Sequence, residues 1–95
     1  MNEGIININR LKKFFGVAIT FKVYLDDNYY GDLKSNSSLN INVPFGPHKV
    51  TLTSAGNNVP IEVLINENQR NVDIICQAGW GLLVARPKVV SVNYR

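Results

Sequence analysis

The chain is poor in the residues that usually carry chemistry, with one cysteine, one histidine, one tryptophan and one methionine in 95 residues. A lone thiol closes no disulfide within the chain, so the fold must rest on buried apolar surface and backbone hydrogen bonds. With His48 the only imidazole, any site that needs one must use it. Long apolar runs are missing as well. The segment from Phe14 to Ile19, interrupted by Gly16, falls far short of the ~20 residues that span a bilayer, so no transmembrane segment is expected. Glu3, Arg10, Lys12 and Lys13 stand among asparagines near the start, without the basic start and apolar stretch of a secretory leader. A cytoplasmic location is the expectation, or else a module of a longer envelope protein. Charge of one sign is scarce too: the net charge of +3 tolerates an anionic partner without implying one. There is neither a phosphate-binding glycine loop nor a nucleophile elbow.

What the chain does have is apolar alternation with a period of two, the signature of half-buried strands. Ile19, Phe21, Val23 and Leu25 alternate with Thr20, Lys22 and Tyr24. Leu39, Ile41 and Val43 alternate with asparagines, and Val50 and Leu52 with Lys49, Thr51 and Thr53. Residues 59–65 and 72–76 read as two more strands joined by Asn66-Glu-Asn-Gln69, whose side chains bond to local backbone in turns. Ile6 and Ile8 near the start, and Val90, Val92 and Tyr94 near the end, continue the pattern. The one helix candidate, Asn9 to Phe15, is less than two turns long and stops at Gly16. These spacings predict a single all-β domain over residues 1–95: an antiparallel β-sandwich of about seven or eight short strands, Ig-like or Greek-key, or a partly open barrel. Antiparallel pairing is expected because the connections leave no room for crossover helices.

The turns can be read almost residue by residue. Asp26, Asp27 and Asn28 tolerate the left-handed backbone of a tight hairpin, and Gly31 suggests a bulge in the returning strand. Pro44 ends a ladder for want of an N–H, Gly46 affords a positive φ, and His48 restarts the alternation on the core side. The order Val23-Tyr-Leu-Asp-Asp-Asn, Gly31-x-Leu33, a polar loop, Leu39 to Val43, then Pro44-x-Gly46-x-His48-x-Val50-x-Leu52 resembles the PEGA domain and related small bacterial β-sandwich domains of unknown function. The resemblance covers about residues 18–54. It departs from the family in lacking the Pro-Glu-Gly-Ala tetrapeptide and in carrying Asn28 where a turn glycine is usual. It implies a compact antiparallel sandwich acting as an accessory or surface-interaction module.

Each chemically suggestive residue also has a plain structural reading. At a turn edge, a His48 ring nitrogen can hold loop backbone. Cys76 lies mid-strand among inward Val72 and Ile74, where a free cysteine acts as a small hydrophobe. The oxygens of Asp26, Asp27, Asn28 and Asp32 do not follow the spacing of a calcium loop, and turn chemistry explains them. Asn36-Ser-Ser38 is a formal glycosylation acceptor, which has meaning only on a secretory route. No catalytic residue, metal or cofactor is expected. The binding candidates are Trp80, between Gly79 and Gly81, with Tyr24, Tyr29 and Tyr30 as aromatic platforms. Arg10, Lys12 and Lys13, beside Phe14 and Phe15, form a basic aromatic cluster. The expected role is a non-catalytic binding or structural module, paired with another protein or a second copy through a sheet edge. Carbohydrate or cell-envelope binding at the turn aromatics is the first alternative. Weak nucleic-acid or anionic-surface binding through Arg10, Lys12 and Lys13 is the second.

Overall fold

The structure, a computed structural model, describes residues 2–13, 19–54, 56–79 and 86–95. Eight strands follow one another: β1 (Glu3–Arg10), β2 (Phe21–Leu25), β3 (Asn28–Leu33), β4 (Ser38–Pro44), β5 (Gly46–Ser54), β6 (Asn57–Ile65), β7 (Asn71–Gly79) and β8 (Arg86–Tyr94). They form two four-stranded sheets, ordered β4-β1-β7-β8 and β3-β2-β5-β6. The sheets stack face to face as a sandwich and do not close into a barrel. Among the described residues there is no helix. Asn9 and Arg10 of the helix candidate belong to β1, while Phe14, Phe15 and Gly16 lie outside the described residues.

The period-two pattern places the core. Ile6, Ile8, Ile41, Val43, Val72, Ile74 and Cys76 of one sheet meet Phe21, Val23, Leu33, Val50, Leu52, Val63 and Ile65 of the other, all fully or almost fully buried. Burying a side chain of this size stabilises the fold by about 1.5–3 kcal/mol, which is why one-sided alternation suffices to hold two sheets together. Gly4 is required by packing, since a Cβ there would run into the Arg70 carbonyl and the Ile65 side chain.

Two connections show how local chemistry sets the topology. Asp26 and Asp27 have φ of 49° and 69°, and Leu25 pairs with Asn28, so β2 and β3 join through a two-residue turn with both central residues left-handed. That turn matches the right-handed twist of the strands. The ladder then slips between Val23 and Tyr24, which puts the bulge at Tyr30, next to Gly31. Between β4 and β5 the chain crosses from one sheet to the other with only Phe45 intervening. Gly46, at φ 133°, supplies a backbone conformation that side-chain-bearing residues rarely adopt.

Two expectations are corrected. Pairing is antiparallel everywhere except between β1 and β7, which run parallel from Ile5 opposite Asn71 to Arg10 opposite Cys76. These strands come from opposite ends of the chain, so their connection is the whole intervening sandwich and no crossover helix is needed. Val90, Val92 and Tyr94 do not form one buried face, being 50%, 37% and 42% exposed. The register shifts between Ile75 and Cys76, making Val90 a bulge residue, and β8 is an edge strand, so Val92 and Tyr94 lie on the core side of their sheet but stay partly exposed.

Candidate functional site

The only histidine belongs to a clamp across three elements. His48 Nδ1 lies 2.7 Å from Asp26 Oδ2, and Nε2 lies 2.7 Å from the Pro44 carbonyl oxygen. The Lys49 amide donates to Asp26 Oδ1 at 2.8 Å, and Lys49 Nζ pairs with Asp27 at 2.8 Å. Partial burial pushes the His48 value down, but the bond to Asp26, the Pro44 carbonyl and the Asp26 charge outweigh it and raise it overall. Burial likewise pushes Asp26 up, and the bonds and charges of His48 and Lys49 reverse that and hold it low. Both neighbours of the ring are acceptors, which favours the cation that donates from both nitrogens and accounts for the raised value. A ring engaged on both sides has no lone pair left to take a proton from a substrate. The clamp ties the β2–β3 turn to the β4–β5 corner.

Arg10 and Cys76 meet at the end of the core. Arg10 is only 3% exposed; its Nη1 donates to the carbonyls of Ile19 and Leu33 at 2.7 and 2.8 Å, and its guanidinium lies 3.7 Å above the Phe21 ring. Inward alternation from Ile6 and Ile8 places it there. This corrects the surface cluster, because Arg10 points into the sandwich while Lys12 and Lys13 are exposed. Burial pushes the Cys76 thiol up to about 11, with Arg10 opposing, so at neutral pH it is a protonated, inaccessible thiol. Among the described residues no group of three or more histidine, cysteine, aspartate or glutamate side chains is placed to hold a metal ion.

The tyrosines separate. Tyr24 and Tyr29 pack edge to face, with centroids 5.7 Å apart, on the outer face of the β3-β2-β5-β6 sheet. Beside them a shallow groove of about 530 Å³ is lined by Thr20, Lys22, Tyr24, Thr51, Thr53 and Asn58. The Tyr29 hydroxyl donates to Asp32 at 2.5 Å. Tyr30 turns away, and its hydroxyl donates to the Asn40 carbonyl of β4 at 3.4 Å. Trp80 lies outside the described residues.

The four edge strands differ in what their outward backbone can do. On β6, the outward N–H of Leu64 donates to the Tyr94 hydroxyl at 3.1 Å, and Gln69 Nε2 donates to the Leu64 carbonyl at 2.6 Å. By the same parity Pro60 faces outward and has no N–H. On β4, Asn40 is capped by Tyr30, while Pro44 lacks an N–H and gives its carbonyl to His48. β3 is six residues long and bulged. β8 is nine residues long; Pro87 stands at an outward position without an N–H, Val90 is a bulge, and from Ser91 to Tyr94 the strand is regular. Arg95 exchanges both backbone bonds with Asn71, so the alternating positions Val92 and Tyr94 direct their N–H and C=O groups away from β7. Among the described residues no side chain or loop caps them.

No protein-family model, no curated protein and no solved structure matches this chain. Its function is therefore read from the geometry.

The site residues that the sequence had suggested are dispersed between the turn clamp, the core and one sheet face. Alternation at Val92 and Tyr94 does not tell an edge strand from a central one. Two signals point to an edge: β-branched residues crowd residues 89–92, and Arg86 and Lys88 in the strand, with Arg95 just after it, have no acidic residue among them.

Proposed function

We propose that the protein is a non-catalytic binding module that takes up an extended segment of a partner protein as an added strand on β8. One observation carries this reading: the other three edges bear a proline, a bulge or a side-chain cap, and although β8 has Pro87 and the Val90 bulge in its first half, beyond them it presents regular backbone at Val92 and Tyr94 with no cap among the described residues. A long exposed edge with β-branched side chains is a template for pairing, and folds that do not use one blunt it. Val92 and Tyr94, 37% and 42% exposed on the core side of β8, offer apolar surface beside the β6 edge, where the Tyr94 hydroxyl meets the Leu64 amide. An incoming strand would cover it. The doubly engaged His48 and the buried Cys76 fit a module without catalysis. The resemblance of residues 18–54 to the PEGA domain points the same way.

Hydrogen exchange tests the proposal. Strand-forming peptides with alternating valines should slow exchange at the Val92 and Tyr94 amides, and Val92→Pro should abolish both binding and protection. Unchanged exchange across such a panel, or protection confined to another strand, would reject β8 as the docking edge.

A second reading rests on the groove beside Tyr24 and Tyr29, where an aromatic pair stands among threonine hydroxyls and Asn58, as a sugar ring requires. Tyr24→Ala should then weaken retention on a glycan array, and an array without any retention would discard it.

A further inference from the structure

We infer that the strand accepted by β8 is acidic and amphipathic, with aspartate or glutamate alternating with β-branched or other apolar residues, and that it is not a second copy of this chain. The inference rests on the strand-addition reading and adds the chemistry of the partner.

It follows from the two faces of the edge. Val72 lies opposite Tyr94 and Ile74 opposite Val92, and directly opposed residues of an antiparallel pair share a face. Val92 and Tyr94 therefore lie on the core side of their sheet. An added strand must place apolar side chains beside them, extending the core past the β8 edge. The other face of β8 carries exposed Arg86 and Lys88, and Arg95 follows directly after the strand. No acidic residue occurs in β8. The carboxylate on the neighbouring strand, Asp73, is already taken: Arg95 Nε and Nη2 donate to it at 2.7 and 3.1 Å, and Asn7 Nδ2 donates at 3.0 Å. Arg86 and Lys88 thus set the charge that an incoming strand meets. The side chains of the added strand on that face must be acidic to match it, since opposite charges across strands attract and like charges repel.

The same charges oppose self-pairing. Two copies aligned antiparallel through Val92 would set Arg95 of each beside Lys88 of the other. A parallel alignment would turn the second sheet over, since the same edge must face the first copy, and would set its basic face beside the apolar Val92 and Tyr94. The antiparallel pair gathers Arg86 and Lys88 of both copies, four cations, on one face of the seam without a carboxylate of β8 to separate them, while each Arg95 is held by Asp73. Charge complementarity selects an acidic partner.

Three nine-residue peptides fused to a small inert carrier test this: alternating valine and glutamate, valine and threonine, and valine and lysine. Fluorescence anisotropy at low salt should show the glutamate peptide binding about 5–10-fold tighter than the threonine peptide, as expected for a few cross-strand charge pairs. The lysine peptide should bind weakest, and the spread should narrow at high salt as screening grows. Lys88→Glu, an exposed change that leaves the fold intact, should remove or invert the ranking. Equal affinities for all three peptides, each lost in Val92→Pro, would overturn the acidic partner and leave strand addition standing. No binding by any peptide would overturn strand addition itself. Concentration-dependent dimerisation of the free protein, abolished by Val92→Pro, would replace the acidic partner with a second copy.

Discussion

At the residue scale, His48 joins fold to solution conditions. Unfolded, it titrates near its ordinary value of about 6.5. Folded, burial pulls the value down, and the bonds to Asp26 and the Pro44 carbonyl raise it further than burial lowers it. Folding therefore favours the protonated ring. That stabilisation is fully present below about pH 6.5 and is lost as pH rises through the raised folded value. Asp26, held low in the fold, stabilises above its ordinary range near 3.9 and loses this as pH falls through its lowered folded value. The clamp thus contributes most between about pH 4 and pH 6.5. Urea midpoints at pH 5.5 and 8.5 should differ by about 0.5–1 kcal/mol in favour of the lower pH, a modest sum because the Asp26 carboxylate is half exposed. His48→Gln should erase this difference, and a dependence that survives the substitution would assign it to other groups. The sequence showed that His48 stands at a turn edge with room to hold loop backbone. It did not show that both ring nitrogens are engaged, because Asp26 lies 22 positions away and only the fold brings it near. Arg10 was harder still to read, as arginine is seldom buried. Two carbonyls and the Phe21 ring, all distant in sequence, make its burial tolerable.

At the element scale, periodicity and turn chemistry made the strands legible and left their neighbours undetermined. The alternation Leu39, Ile41, Val43 says which side of a strand is wet. It says nothing about which strand lies beside it, since every sheet offers the same apolar face. Hence the alternation of β8, like that of β1, does not say that one strand is an edge and the other central. Val92 and Tyr94 sit on the core side, but at an edge they stay 37% and 42% exposed. The orientation of the edge backbone can be checked by two prolines one residue apart. Ser91, opposite Ile75, directs its N–H to β7, whereas the Val92 N–H points outward. Ser91→Pro should destabilise the domain by about 1–3 kcal/mol through loss of a ladder bond and an Ile75 carbonyl left without its donor. Val92→Pro, which removes no ladder bond, should cost under about 1 kcal/mol. Thermal unfolding of the two variants reads the contrast directly. Equal losses would mean that the edge faces the other way, and strand addition at Val92 would lose its geometric basis.

At the scale of the whole molecule, the parallel β1–β7 pair is the joint that closes the fold. In its sheet β1 stands between β4 and β7, bonded antiparallel to one and parallel to the other. The first strand made is therefore central, and it waits for β7, more than 60 residues later, before its second edge is filled. Contacts so distant in sequence slow folding, because loop closure must come before they contribute. Until β7 arrives, β1 presents an open apolar edge, and a second chain can occupy it. Removing residues 1–10 should leave β4 and the β7–β8 hairpin without a common neighbour and uncover Val72, Ile74 and Cys76. The shortened chain should show no cooperative thermal transition and should bind hydrophobic dyes. A synthetic peptide of residues 2–13 should restore the transition in a concentration-dependent way, as donor-strand complementation does. Recovery with Ile6→Asp in that peptide would contradict the role of β1, because the buried Ile6 could not then be what fills the gap. Both this gap and the β8 edge offer room for an extended strand; the fold fills the first with its own β1, and among the described residues no strand pairs with the outward edge of β8.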